Sequence, residues 1–240
     1  MFGLSKKINK TRAWKRLEKQ AAKMRKVEMR DMFDKDPKRA EKYTLSFEDM
    51  RLDFSKNRID DRTFACLLGL AKEAGLGGKI EQMFQGQKIN STENRAVLHL
   101  ALRNCDNHPI YVDGVDVMPE INRVLGKIKD FSEAVRLGKF KGYTGKKLTN
   151  IVNIGIGGSD LGPKMAVEAM RKYMPKGMNC YFISNIDGTA CAEVLEKLDP
   201  EKTLFIVCSK TFTTIETLTN ARTCRKWLVD ALGEHATAKH

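Results

Sequence analysis

The second half of the chain repeats one pattern three times: an apolar run, a polar or glycine-rich loop, and a helical segment. The apolar runs cover residues 148–154, 180–184 and 203–208. Alternation at this spacing predicts parallel β-α units with right-handed crossovers. Unbroken apolar runs are typical of strands covered on both faces. We therefore expect an α/β fold built on a doubly wound parallel sheet.

The predicted sheet is thin, because three strands are few for such a fold. The last helical segment reaches Leu232, eight residues before His240. Two interpretations are open: a fragment cut inside a doubly wound domain, or a small domain completed by oligomerisation. We expect the first, with a truncated sheet domain over 141–240.

The first half has a different pattern, which predicts a helical N-terminal extension over 1–140 packing on the sheet domain. Apolar spacing predicts helices, and β-type residues predict a hairpin. We expect the helices at 10–33, 60–73, 92–102 and 118–137 and the hairpin at 43–54.

The loop after the first strand, within IVNIGIGGSDLGPK (151–164), resembles two nucleotide-binding fingerprints and matches neither. The dinucleotide pattern G-x-G-x-x-G fails at Asp160, whose charge opposes a pyrophosphate at a helix N-terminus. The P-loop pattern fails because Pro163 displaces the lysine to Lys164. A site for a smaller phosphate ligand and a tight turn with Ser159 as helix cap both remain open.

The loop after the third strand offers hydroxyl groups, backbone N–H groups and one lysine at the start of a helix. This chemistry is typical of an anion site. Thr213 and Glu216 also fit a capping box, but the loop has more hydroxyls than a cap needs. We predict that it binds a phosphate monoester. Its residues are Ser209, Lys210, Thr211, Phe212, Thr213 and Thr214.

The formal net charge of +13 is concentrated near the N-terminus, where eleven lysines and arginines from Lys6 to Arg30 face two glutamates. One interpretation is a patch for nucleic acid or another anionic surface. The other is the solvated side of an amphipathic helix. Because no aromatic residues are interleaved to stack on bases, we expect the second, and no nucleic-acid partner.

The remaining composition excludes several classes of protein. The six cysteines lack a C-x-x-C pair, which favours reduced and mostly buried thiols over a disulfide framework. The four histidines have no metal-ligand spacing, so we expect no metal and no cofactor. No apolar run has the roughly 20 residues that a membrane span needs. We expect a cytoplasmic protein without a membrane partner.

Four segments together resemble the glucose-6-phosphate isomerase family, and the similarity extends over nearly the whole chain. The family implies a sugar-isomerase (SIS) fold and interconversion of glucose 6-phosphate and fructose 6-phosphate through a cis-enediol, in glycolysis and gluconeogenesis. The segments are TENRAVLHLALRN (92–104), GYTGKKLTNIVNIGIGGSDLGPKM (142–165), FISNIDGT (182–189) and LFIVCSKTFTTIETLTNA (204–221).

The resemblance also assigns roles to residues. It implies that Gly158 and Ser159 lie along the sugar and that the loop from Ser209 to Thr214 holds the phosphate. The catalytic glutamate, histidine and lysine of the family have no matching positions in this sequence, so we expect no catalytic residue and no turnover from these 240 residues alone. The family further implies a homodimer. A non-catalytic sugar-phosphate-binding module remains the alternative.

Overall fold

The computed structural model describes residues 7–240, so Lys6 of the basic segment lies outside the described residues. The chain divides into two compact units, one ending at Ile121 and the other beginning at Asn122. The predicted domain boundary at residue 140 stays a prediction.

The first unit contains α1 (Arg12–Met24), α2 (Met29–Lys35), α3 (Arg39–Lys42), β1 (Thr44–Phe47), β2 (Met50–Asp53), α4 (Asp61–Glu73), α5 (Leu76–Phe84), β3 (Tyr111–Val112), β4 (Val115–Asp116) and the first turn of α6 (Met118–Arg136).

Helix α1 begins where the sequence supplies a cap, and it packs against α4. The Thr11 hydroxyl accepts a hydrogen bond from the Trp14 N–H at 3.2 Å. The Glu73 carboxylate of α4 accepts the N–H groups of Arg12 and Ala13 at 3.1 and 2.6 Å. The free N–H groups at the start of α1 are thus satisfied from two sides, which fixes the helix on α4.

The predicted single helix over 10–33 is wrong, because the chain turns between α1 and α2. Glu28 adopts an extended conformation there, with φ −80° and ψ 143°. In an unbroken helix, Glu28 and Asp31 would lie on the same buried side as Met24. The turn changes the phase of the helix, so that Met32 is buried instead.

The predicted helix over 60–73 is confirmed as α4, and Gly75 follows its end with φ +71°. One further expectation for this unit needs correction. The predicted helix over 92–102 is absent. The Asn90 side chain accepts hydrogen bonds from the Thr92 hydroxyl and the Glu93 N–H, at 2.8 and 3.3 Å, and holds a turn there. The predicted hairpin and the helix from residue 118 are confirmed.

The second unit contains the predicted parallel sheet. The strands lie in the order β6-β5-β7 and both pairings are parallel. Ile154 at the end of β5 lies opposite both Ile183 and Val207, so all three strands end at one edge. Its elements after α6 are β5 (Asn150–Ile154), α7 (Gly158–Ala169), β6 (Asn179–Ile183), α8 (Gly188–Leu195), β7 (Thr203–Val207) and α9 (Ile215–Leu232).

The two faces of this sheet carry different apolar clusters. Val152 and Ile154 of β5 pack with residues of α8 and α9. Ile151 packs instead in a cluster with Leu148 and Val135 of α6. Successive side chains of a strand point to opposite faces, so the unbroken apolar run of β5 serves both clusters. A mixed α/β fold with a parallel sheet is confirmed.

All six cysteines are free thiols, but the expectation that most are buried is wrong. Cys191 and Cys224 are buried in the cluster under α8 and α9, whereas Cys105 is exposed.

Candidate functional site

The two predicted ligand loops leave adjacent strands at the same edge of the sheet. The Cys208 N–H donates to the Ile154 carbonyl at 2.8 Å, which extends the β5–β7 pairing to the start of the second loop. A Cβ atom at Gly155 would lie 2.7 Å from the Ser159 carbonyl oxygen and 3.1 Å from that of Cys208. Glycine at this position therefore lets the two loops approach each other.

The buried side chain of Asn153 joins the two loops. Its amide nitrogen donates to the Ser159 carbonyl at 2.9 Å, and its amide oxygen accepts from the Cys208 thiol at 3.3 Å. Asn153 is 7% exposed and lies within β5. The same side chain thus holds the first turn of α7 and the residue that precedes Ser209.

The glycine loop leads directly into α7. Gly157 is the N-cap, with φ +55° and ψ −120°, a backbone conformation that favours glycine. Gly158 is exposed, and nothing lies within 4 Å of a Cβ placed on it. Ser159 does not cap the helix, since it lies inside α7 and no side-chain hydrogen bond is made at the N-cap. The N–H groups of Ser159, Asp160 and Leu161 already donate to the carbonyls of Ile156 and Gly157.

Asp160, in the first turn of α7, is a buried carboxylate with only 4% of its surface exposed. Its Oδ1 has no hydrogen-bond partner among residues 7–240. A buried acceptor with a formal negative charge repels a second anion at this helix end. The physical reason for rejecting a dinucleotide at this loop therefore holds in the folded chain.

The loop from Ser209 to Thr214 brings its hydroxyl groups close to one another. The Ser209 hydroxyl lies 3.4 Å from that of Thr214 and accepts the Phe212 N–H at 3.1 Å. The hydroxyls of Thr211 and Thr213 are 2.6 Å apart. Phe212 has φ +53°, a left-handed conformation that is uncommon for a bulky residue. Lys210 is exposed in the same loop.

The start of α9 differs from that of α7 in its free hydrogen-bond donors. Thr214 is the N-cap and makes no side-chain capping bond, so the predicted capping box of Thr213 and Glu216 does not form. Within the described part of the chain, the N–H groups of Ile215 and Glu216 have no hydrogen-bond acceptor. Unused donors and the helix dipole make this end of α9 the better anion site of the two.

The structure thus brings together all eight predicted binding residues at one edge of the sheet, and their role in binding stays a prediction. The sequence reasoning missed two buried amides that support this edge: Asn153, and Asn220 of α9, which donates to the Asn185 carbonyl at 2.8 Å. The signal for Asn153 was present, because a lone amide inside an apolar strand needs partners. Asn220 gave no such signal, since it lies in a helix of mixed polarity.

The buried Cys224 thiol of the second unit is poorly suited to act as a nucleophile. Burial raises the pKa of this thiol far above its ordinary value, and the Cys191 sulfur 3.9 Å away raises it further. The Cys224 thiol therefore remains neutral at physiological pH.

Two further features concern residues 7–240 as a whole. No three histidine, cysteine or acidic side chains lie close enough together to form a metal-ligand set. None of the helices combines the length and the apolar character needed to cross a bilayer.

Comparison with known proteins identifies the family of this chain. The family described as phosphoglucose isomerase matches residues 53–240. A glucose-6-phosphate isomerase from Chlamydia trachomatis superimposes over 95% of this chain, with 28% identity and a TM-score of 0.71; this chain covers 43% of that enzyme. The hypothetical protein TT0462 from Thermus thermophilus matches 50% of this chain and 26% of its own, with 31% identity and a TM-score of 0.40. The chain belongs to the phosphoglucose isomerase family.

Proposed function

We propose that this chain carries the sugar-phosphate-binding loops of a glucose-6-phosphate isomerase, an enzyme that interconverts an aldose and a ketose phosphate. One observation carries the proposal: a glycine-rich loop and a hydroxyl-rich loop meet at the carboxyl edge of adjacent parallel strands. Open α/β sheets bind ligands at this edge.

The phosphate belongs on the loop from Ser209 to Thr214. The N–H groups of Ile215 and Glu216 and the clustered hydroxyls supply donors, and Lys210 supplies a positive charge. The hydroxyls now paired with one another can rotate and donate to phosphate oxygens. The strained backbone of Phe212 fits a loop shaped for a ligand.

The sugar belongs on the glycine loop. Gly158 presents an open surface, and the Ser159 hydroxyl makes no hydrogen bond among the residues that the structure describes. The buried Asp160 carboxylate disfavours the reversed orientation, in which the phosphate would approach α7. Polar groups of the sugar are compatible with this end of the site, and a dianion is not.

The chemical step needs groups that the family resemblance does not place in these 240 residues. We propose that the complete enzyme has the doubly wound SIS fold, with residues 1–140 as an N-terminal extension, and acts as a homodimer. Its glutamate moves a proton between C1 and C2 through a cis-enediol, while a histidine and a lysine assist ring opening. We place it in the cytoplasm, in glycolysis and gluconeogenesis, without metal or cofactor.

The alternative is a binding module that uses the same loops without turnover. The residues at the two loops fit both functions, because the difference lies in the catalytic groups. A longer product of the same gene that converts fructose 6-phosphate would exclude the module, and a longer product that binds without converting would exclude the enzyme.

Calorimetric titration of the 240-residue chain with fructose 6-phosphate tests the site. We expect Lys210→Ala and Ser209→Ala each to weaken binding about 10-fold or more, since hydrogen bonds to charged groups are worth about 1.5–3 kcal/mol. The matched control is Lys226→Ala, an exposed lysine that lies outside the loop, on helix α9, and pairs with Asp230. Unchanged affinity in both loop variants would show that the phosphate does not bind at this loop. In a complete enzyme the same substitutions should raise KM for both sugar phosphates.

A further inference from the structure

The basic helix α1 concentrates its positive charge on one face. Arg12, Lys15, Arg16, Lys19 and Lys23 are all exposed. At 3.6 residues per turn they lie within an arc of about 100° and extend about 16 Å along the helix. We call these five residues the cationic stripe. The buried residues of α1, Ala13, Gln20 and Met24, lie to one side of it.

Within residues 7–240, no side chain of the cationic stripe forms an ion pair. Glu18, the one acidic residue of α1, forms no ion pair with it there. The Glu73 carboxylate accepts the backbone N–H groups of Arg12 and Ala13. The Asp60 carboxylate accepts bonds from Gln20 and Thr63. The carboxylates that contact α1 are therefore used by uncharged donors.

The spacing of the stripe works against the helix itself. Like charges three or four residues apart repel each other along a helix, and the stripe contains five such pairs. Exposed lysines usually alternate with acids, which relieves this repulsion. A bound polyanion would relieve it here.

The residues around the cationic stripe indicate which kind of polyanion it can bind. The apolar side of α1 already packs on α4, so the helix cannot insert it into a lipid surface. Arg16 shares a groove with Arg62 of α4, which is also lined by small residues, among them Ala13 and Ala65, and by Glu73. The Glu73 carboxylate is held there by the backbone N–H groups of α1, and the small residues beside the cations leave room for a sugar-phosphate backbone. No aromatic side chain stands in the stripe to stack on bases.

We propose that the cationic stripe of α1 binds the phosphate backbone of nucleic acid, without sequence preference. This reverses the expectation drawn from the sequence, in which the hydrogen bonds that occupy the neighbouring carboxylates were not visible. A sequence pI of about 9.5 agrees with such a partner.

Fluorescence anisotropy of a labelled DNA duplex of about 20 base pairs tests the proposal, with salt raised from about 50 to 200 mM. We expect log K to fall linearly with log salt, with a slope of about −4 to −5 for five phosphate contacts. The triple variant Lys15→Gln, Lys19→Gln, Lys23→Gln should lose about 2 to 3 units of that slope and bind at least about 10-fold more weakly at low salt.

Two further variants separate the stripe from general charge and from misfolding. Lys127→Gln, Lys129→Gln, Lys172→Gln removes the same charge from exposed positions of the second unit and should bind like the wild type. Lys15→Arg, Lys19→Arg, Lys23→Arg keeps the charge and should also bind fully. Circular dichroism reports whether each variant folds.

Three results would overturn the proposal. One is the absence of duplex binding at the lowest salt. Another is an equal loss in the variant of the second unit, which would mean that only net charge matters. The third is binding to vesicles rich in phosphatidylserine but not to the duplex, which would assign the stripe to a lipid surface.

Discussion

At the scale of single residues, the candidate site depends on one amide as much as on the residues that would contact a ligand. Asn153 satisfies the Ser159 carbonyl and the Cys208 thiol from inside the sheet. It contacts no ligand position, yet it sets the distance between the two loops. We therefore regard it as a positioning residue.

We predict that Asn153→Ala lowers the free energy of unfolding by about 1–3 kcal/mol, since it leaves a buried carbonyl without its donor. Urea denaturation measures the loss. The control is Asn179→Ala at the exposed start of β6, whose amide makes a longer bond to Asn150 at 3.3 Å. A loss no larger than that of the control would contradict the linking role of Asn153.

The two loops of the candidate site could be located from the sequence because each loop directly follows its own strand, whereas the binding role of their residues stays a prediction. The sequence from Ser209 to Thr214 indicates a helix start rich in hydrogen-bond donors, whatever the position of the loop in the fold. The role of Asn153 could not be predicted, because its two partners lie six and 55 residues away along the chain. The unused N–H donors at the start of α9 were not predicted either, because the sequence fits a capping box equally well.

At the scale of helices and strands, the ends of α1 and α4 are coupled. The Asp60 carboxylate caps α4 through the Thr63 N–H at 2.7 Å and accepts the Gln20 amide of α1 at 3.2 Å. Burial raises the pKa of this carboxyl, but the hydrogen bonds from Thr63 and Gln20 outweigh it and hold the pKa below its ordinary value.

This shift predicts a pH dependence of stability with a definite sign. Because the folded pKa is below the unfolded value of about 3.9, the contribution of Asp60 is present above that pH and is lost as the pH falls through the folded pKa. Asp60→Asn keeps a capping oxygen but removes the charge. Urea midpoints from pH 7 to 3 should therefore fall less steeply in the variant than in the wild type.

The control for this prediction is Asp49→Asn, an exposed carboxylate in the turn between β1 and β2. Its curve should follow that of the wild type. If Asp60→Asn also followed the wild type over the whole range, the hydrogen bonds to Asp60 would not depend on its charge.

Strands were easier to predict than helix ends. The three strands of the sheet lie within two residues of their predicted bounds, because buried apolar runs between turn residues leave little choice. Apolar periodicity could not predict the break after α1 or the turn at Asn90. The break depends on which side of the helix is buried before and after it. The turn depends on a side chain that competes for backbone N–H groups.

At the scale of the whole molecule, positive charge and exposed apolar surface act in opposite directions. In the hairpin, Leu45 pairs with Leu52 and Phe47 with Met50, so all four side chains share one face. Each is more than half exposed, Phe47 by 67%. A contiguous apolar face favours association, whereas a net charge of +13 keeps copies apart at low salt.

We predict that the chain self-associates through this face and that added salt strengthens the association by screening the charge. Sedimentation velocity at increasing salt measures it. Phe47→Ser with Met50→Ser should weaken association about 10-fold or more, because burying a side chain of this size is worth about 1.5–3 kcal/mol. Ile128→Ser with Leu137→Ser, which are also exposed but lie on α6 and directly after it, should have little effect.

The salt dependence separates this association from binding at the cationic stripe. Screening strengthens contact between like-charged copies, whereas it weakens contact between the stripe and phosphates. Association that weakened with salt would mean that the copies are joined by charge, and the hairpin face would then not be the contact. A hairpin variant that associated like the wild type would lead to the same conclusion.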